Sequence, residues 1–561
     1  MKTLSFTMMN TLLIIVHLLC VGCSSSEEPK EVKGDDTPFV VNLNGKNYAG
    51  TTQRLLVPFS GATYELNIEA SANVTWSITA SDMTPNDFLE IDQLTGQGKK
   101  MVRIIAKKNE SKESGHVGTV SITNSSNNTI TKFIFDQKEK ELKLPKGLTE
   151  QEPEEYYNKD SKYNIYHMAE GPNVAVLYDS RWGDNPEADP KLPLDRKKAV
   201  EYAEDIYTWL IDVAGFANWT TSKAAQYKIV VFVRYENSTA GSSWGTSDVA
   251  AASVGQAGIM KTNKHGVPGV LQHEMTHCFQ YIAQRDGAQG FTGSSAIYEM
   301  TAQWSLCQRW ADWPDLEYSH FKPFMQNTHK AFLHEDNAYH APYVLIYWEY
   351  KHPLMVSRVW KENEKGVTDP VETYKHLANL TQEEFNDDMF ECVSRFVTWD
   401  IPHLKEANAK HIDKHQYKLK EISASKFQAH PETCPQNYGY NCIKLKAPAA
   451  GKTVAIDFKG NIGLNGYKIK NGVYKGWRYG FVALKENGER IYGEVNKEDS
   501  KRITFTVPEG GIKYLWFVVM GAPTTHWKHL KPSDNGGVAD NNDWPYEFTL
   551  NGTTLDTPAS L

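Results

Sequence analysis

Residues 271–280 read LQHEMTHCFQ, which sets His273 and His277 four positions apart with Glu274 directly after the first. On a helix, residues four apart stand one turn above each other on the same face. Two imidazoles so placed can bind one Zn2+, while Glu274 is displaced toward the water such an ion would hold. The chemistry this suits is hydrolysis, with a Lewis acid and a carboxylate base side by side. The alternative is a pair of histidines solvating a helix surface. With 18 histidines in 561 residues, a chance match to this pattern is on the order of a few per cent.

The element that must carry the motif is PGVLQHEMTHCFQYIAQRDG, whose apolar spacing is helical, with Pro268 suited to the first helical position and Gly287 and Gly290 beyond the end. A zinc hydrolase also needs a third protein ligand and an open position. The metzincin pattern would require Gly at 280 and His at 283; the chain has Gln280 and Ala283, which excludes that class. SSAIYEMTAQWSLCQRWADWP reads as a second helix, begun by Ser294 or Ser295, ended near Pro314 and carrying Glu299 on its early turns. The 21 residues between His277 and Glu299 are enough to turn the chain and lay this helix beside the first.

Together these segments resemble the gluzincin zinc-peptidase clan, in which a glutamate of the following helix is the third ligand. The resemblance implies Glu299 in that role, with Asp286 as the other carboxylate candidate. Gluzincins often place an Asp one turn further on to hold a ligand histidine by its other ring nitrogen. Gln303 stands there instead, and its amide oxygen can accept that bond without raising ligand basicity as a carboxylate does. The clan also draws an oxyanion donor from a downstream Tyr or His, and EDNAYHAPYVLIYWEY offers Tyr339 first, then His340 and Tyr343. On this reading Zn2+ supplies Lewis acidity, Glu274 moves a proton from water to the leaving amine, and Tyr339 donates to the oxyanion.

A chain of 561 residues is too long for one core, and three domains are expected around these helices. Hydrophobic content of 40%, charge of 23% and a net charge of -8 describe folded protein without a basic face for nucleic acid. The start, MKTLSFTMMNTLLIIVHLLCVGCSSSEEPK, has an apolar run from Thr11 to Gly22 that is too short for an ordinary spanning helix and reads as a signal peptide over 1–22. Its end, LCVGC, resembles the lipobox of bacterial lipoproteins, with Cys20 where Leu is usual. That resemblance implies cleavage before Cys23, lipidation of Cys23 and an exported lipoprotein at the outer membrane or cell surface, the polar 23–37 serving as a tether.

From 38 to 138 short alternating runs such as TYELNIEA, VTWSITA and TKFIFDQ indicate a β-sandwich. Through VPFSGATYELNI, Thr75-Trp76, GHVGTVSIT and the closing Gln137 it resembles a BACON-type immunoglobulin-like domain, which implies carbohydrate or mucin contact or a spacer role. Residues 139–428 mix helical spacing with buried strands such as QYKIVVFVRY, an α+β pattern that the gluzincin resemblance implies is a zinc-peptidase-like domain. Residues 429–561 return to strands and read as a second β-sandwich. PQNYGYNCIKL, WFVVMGAP and NDWPYEF resemble the tail of an uncharacterised family of secreted bacterial HExxH proteins, so the last two segments are expected to work as one unit. Cys434 and Cys442 flank a turn that a disulfide could close, two free thiols being the equal alternative. Trp477, Trp527 and Trp544 are candidates to stack on sugars or to be buried, and SDNGGVADNND is a Ca2+ candidate or a solvated loop.

The expected function is a surface-anchored zinc metallopeptidase acting on proteins, glycoproteins or mucins. The alternative is a glycan-binding lipoprotein, with glycan contact through its sandwiches and a structural or degenerate zinc site.

Overall fold

The computed structural model describes residues 38–561 apart from 44, 58–60, 110–115, 138–139, 147–150, 219–220, 246–247, 293–295 and 538–539. The signal segment 1–22, Cys23 with the tether, and Ser294 and Ser295 lie outside the described residues. None of the described helices is long and apolar enough to cross a membrane.

Alternation along each strand gives the first unit its two faces. In Lys100–Ala106, Val102, Ile104 and Ala106 point inward while their neighbours are exposed. One five-stranded sheet runs Lys46–Tyr48, Val40–Leu43, Ala62–Glu69, Lys100–Ala106, Leu89–Ile91. The other runs Thr52–Leu56, Ile130–Gln137, His116–Asn124, Thr75–Thr84, Thr95–Gln97. All pairs are antiparallel except Thr52–Leu56 with Ile130–Gln137. Trp76 fills the core and its indole Nε1 donates to Gly98 O at 3.0 Å. A Cβ at Gly96 would lie 2.1 Å from that ring, so glycine is required where the strand crosses it.

The middle unit is built on a five-stranded mixed sheet. Val174–Tyr178, Ile229–Arg234 and Ala250–Gly255 pair in parallel, with Met168–Glu170 and Gly241–Gly245 antiparallel at the two edges. Every residue of Val174–Tyr178 and Ala250–Gly255 is buried, as expected of strands covered on both faces. The crossover helix Arg196–Asp212 is capped by Asp195, whose carboxylate accepts from Lys198 N at 3.0 Å. It packs on the sheet and on the motif helix, Gly269–Arg285, which in turn lies against Ala250–Gly255 and the edge strand Gly241–Gly245.

The last unit is a sandwich of a five-stranded and a four-stranded sheet. Its first strand, Leu419–Ser423, precedes the boundary at 428/429 expected from the sequence, and its second, Lys426–Ala429, straddles it. The turn signals lie inside this hairpin rather than before it. The four-stranded sheet is buried on both faces. Ile443, Tyr479, Phe481, Phe517 and Val519 face the sandwich core, while Cys442, Val482, Trp516, Val518 and Met520 join the core of the helical unit. Middle and last segments therefore share one interior. The same alternation separates Cys434 from Cys442: the first packs in the sandwich core and the second in the helical core, so the two stay free, buried thiols and no disulfide closes the turn.

Candidate metal centre

The motif helix runs from Gly269 to Arg285, with Pro268 at its cap rather than inside it. It ends where Gly287 takes a φ of 118°, a conformation that favours glycine. The second helix, Ala296–Arg309, carries Glu299 in its first turn and stops ahead of Pro314, which opens a separate short helix Trp313–Leu316. The two helices pack antiparallel, as their side-chain contacts show. Gln272 Nε2 donates to Ser305 O at 3.0 Å, Thr276 Oγ1 to Ser305 Oγ at 2.8 Å, and Gln280 Nε2 to Tyr298 O at 2.9 Å. Small side chains at Thr276, Ala302 and Ser305 allow this approach, and it brings Glu299 across from both histidines.

There the three donor atoms converge. Glu299 Oε2 lies 3.1 Å from His273 Nε2 and 3.3 Å from His277 Nε2, and the two imidazole nitrogens are 3.2 Å apart. Bonds of about 2.0–2.1 Å to a tetrahedral ion put neighbouring ligand atoms about 3.3 Å apart. The triangle thus has the edge lengths of one face of such a site, and His273 at one of its corners lines a cleft. Two imidazoles and a carboxylate are a donor set that suits zinc. Among the described residues no other trio of metal-ligating side chains converges.

The electrostatics agree. Burial would raise the Glu299 carboxyl, but hydrogen bonds and charge from His273 and His277 outweigh burial and hold it far below the usual carboxylate range. Burial disfavours the His277 cation, yet the bond to Glu299 leaves its pKa above the ordinary value. The site is therefore a fixed negative charge facing two nitrogens.

Gln280 sets the tautomer of His277. Because its amide nitrogen donates to Tyr298 O, its oxygen faces His277 Nδ1, which donates to it at 2.9 Å and leaves Nε2 free to bind a metal. The gluzincin resemblance instead implies Gln303 as the residue that holds a ligand histidine. The structure places Gln303 buried on the cleft wall, where it makes no hydrogen bond to either imidazole among the described residues. The signal was available: Gln280 lies three residues after His277 on the same helix, within reach of its ring. Gln280→Ala is expected to weaken metal affinity by about 10–100-fold while leaving the three ligands in place, measured by competition with a zinc chelator.

The cleft has a volume of about 250 Å3, and its walls include Gly241, His273, Glu274, Gln303, Glu317, His320 and Tyr339. Glu274 is only 8% exposed. The edge strand runs so close to it that a Cβ on Gly241 would meet Glu274 Oε1 at 2.4 Å. Tyr339 stacks on His273 with ring centroids 5.9 Å apart and on His320 at 5.6 Å. Burial and the adjacent Glu299 push the Tyr339 hydroxyl well above its ordinary pKa, so it remains a donor.

The other candidates separate from the site. Asp286 caps the far end of the motif helix and accepts from Ser222 Oγ at 2.5 Å and Lys223 N at 2.7 Å. Tyr343 packs in the core between Phe321, Phe324 and Trp399. His340 pairs its Nδ1 with that of His320 at 3.3 Å. Trp477 and Trp544 are buried and present no face for a sugar. In the acidic loop, Asn542 Oδ1 accepts from Lys470 N and Asn471 N and Asp543 Oδ2 from Lys468 N, so these groups bind backbone. His320, Glu317 and Gly241 escaped the sequence reading, because none belongs to a motif and only folding brings them to the cleft.

A comparison with curated proteins finds no match. Among solved structures the chain is similar to a Bacteroides ovatus GH5 xyloglucanase in complex with a XXXG heptasaccharide, at 12% identity and a TM-score of 0.14, over 44% of this chain and 66% of that one. A family 123 glycoside hydrolase from Clostridium perfringens matches at 7% identity and a TM-score of 0.13, over 36% of this chain and 38% of the other. The chain thus spans less than two thirds of either, and likenesses this weak carry no inference about activity. A family model, by contrast, matches residues 135–557, which takes in both the helical unit and the last sandwich. The chain belongs to that family, described as a family of unknown function (DUF6055).

Proposed function

We propose that this chain is a surface-anchored, zinc-dependent peptidase of the gluzincin type that hydrolyses peptide bonds in proteins or glycoproteins. The observation that carries the reading is the triangle of His273, His277 and Glu299 at tetrahedral spacing, with the Glu274 carboxylate outside that trio but lining the same cleft as His273. A purely structural site has no use for a base there. When bound, the metal supplies Lewis acidity toward a water and a carbonyl. The rest is done by the chain's own groups. Glu274 takes a proton from water and returns it to the leaving amine, and Tyr339 offers its hydroxyl to the developing oxyanion.

A peptide also needs to be held extended. Gly241–Gly245 is the outermost strand of its sheet, no other strand among the described residues pairs with its outer edge, and it passes directly by Glu274. Such an edge can add one strand of substrate through backbone hydrogen bonds. The test of the reading is a screen of denatured proteins, mucin-type glycopeptides and simple peptides with wild type and Glu274→Gln in parallel. A BACON-like sandwich at 38–138 then acts as the spacer between this site and the membrane.

The anchor belongs to the same proposal. Cys23→Ser is expected to move the protein from the membrane fraction to the soluble fraction, because no described helix can replace a lipid anchor. Membrane retention of the variant would overturn the lipoprotein assignment.

A further inference from the structure

We infer that Glu317 forms a subsite for a positively charged side chain, so that the cleft selects substrates bearing lysine or arginine. This rests on the peptidase reading above and gives it a substrate class.

Three carboxylates lie close together in the segment that leads into the helix Tyr318–Gln326. Two are neutralised. Asp312 is paired with Lys264 and His265, and Asp315 with Lys410 at 2.6 Å and His411 at 2.9 Å. Glu317, the one that lines the cleft, has no Lys, Arg or His partner among the described residues. A side-chain hydrogen bond fixes it: Trp313 Nε1 donates to Oε2 at 3.0 Å, and Oε1 has no hydrogen-bond partner among the described residues. Trp313 in turn packs beneath the start of the motif helix, where a Cβ on Gly269 would meet its ring at 2.6 Å. The carboxylate is therefore held at a set place relative to His273 and Glu274, not on a swinging side chain.

A half-buried carboxylate without a counter-charge is costly where water is displaced, and a substrate cation removes that cost. The adjacent apolar wall of Val270 and Leu306 suits the methylene stem of a long cationic side chain. A charge-assisted hydrogen bond of this kind corresponds to about a tenfold or greater difference in affinity.

The test uses the full-length, metal-loaded Glu274→Gln protein and blocked hexapeptides that differ only in Lys or norleucine at one position, scanned along the peptide. Calorimetry should show the Lys peptide binding about tenfold tighter at one position, with the ratio falling close to one when Glu317→Gln is added. Glutamine still accepts from Trp313 Nε1, and a ratio within one preparation does not depend on the folded fraction. Glu317→Lys should turn the preference toward Glu at the same position. No Lys preference at any position, or one that Glu317→Gln leaves unchanged, overturns the inference even if peptides are cleaved. A Glu317-dependent preference in binding without hydrolysis of any peptide by wild type overturns the peptidase reading and leaves the cationic subsite standing.

Discussion

Replacing Glu274 with Gln is expected to slow peptide hydrolysis by about 10²–10⁴-fold while zinc content and fold stay nearly intact, because an amide cannot take the proton from water. Glu274 lies between two ligands in sequence but outside the trio that converges on the metal position. The substitution keeps the shape of a side chain wedged against Gly241, so packing of the edge strand is preserved. The readout is kcat/KM on whichever peptides the parallel screen finds, with elemental analysis and thermal melting on the same samples. Peptides cut equally by both proteins would end the peptidase reading and leave the glycan-binding alternative.

The second large effect is on the metal. Wild type purified after metal-replete expression should hold about one Zn2+ per chain, and His273→Ala, His277→Ala or Glu299→Ala should each lose it, since two remaining ligands hold zinc poorly. The structure adds a stability signature. An ion that binds only the folded state raises its stability by about 2.7 kcal/mol at a free concentration 100 times its dissociation constant. Chelation should therefore lower the melting temperature of wild type and leave that of His277→Ala unmoved. Wild type without zinc, or a variant that keeps it, would sink the metal assignment.

Much of this site was legible because helical spacing is a local property. His273 and His277 share a face by periodicity alone, and Glu299 could be nominated once a second helix was seen to follow. What brings Glu299 to 3.1 Å of His273 is the close packing at Thr276, Ala302 and Ser305, which no single segment announces. Gln280 excludes the metzincin pattern by its identity, but its bond to His277 depends on an amide orientation set by Tyr298 O of the second helix, which the sequence does not announce. Glu317 and His320 were invisible because the reach across the cleft is set by tertiary structure. The strands of the last unit showed a similar limit. Trp477–Leu484 is buried at every position because its sheet has two interiors, so it lacks the alternation that marks an ordinary sandwich strand.

That doubly covered sheet bears on how such a chain can be inherited. A domain with its own closed core can be gained, lost or exchanged between genes, because its neighbours keep their surfaces. Here removal of the last unit would strip Trp516, Val518 and Met520 from the helical core and expose an apolar face to water. It would also remove His529, whose Nε2 lies 3.0 Å from Glu335 Oε2, and so loosen the stretch that leads to Tyr339. Recombination has a tolerable breakpoint just beyond Gln137, where the strand Ile130–Gln137 closes the first sandwich, and none near 428. The span 135–557 matched by the family model likewise keeps the helical unit and the last sandwich together.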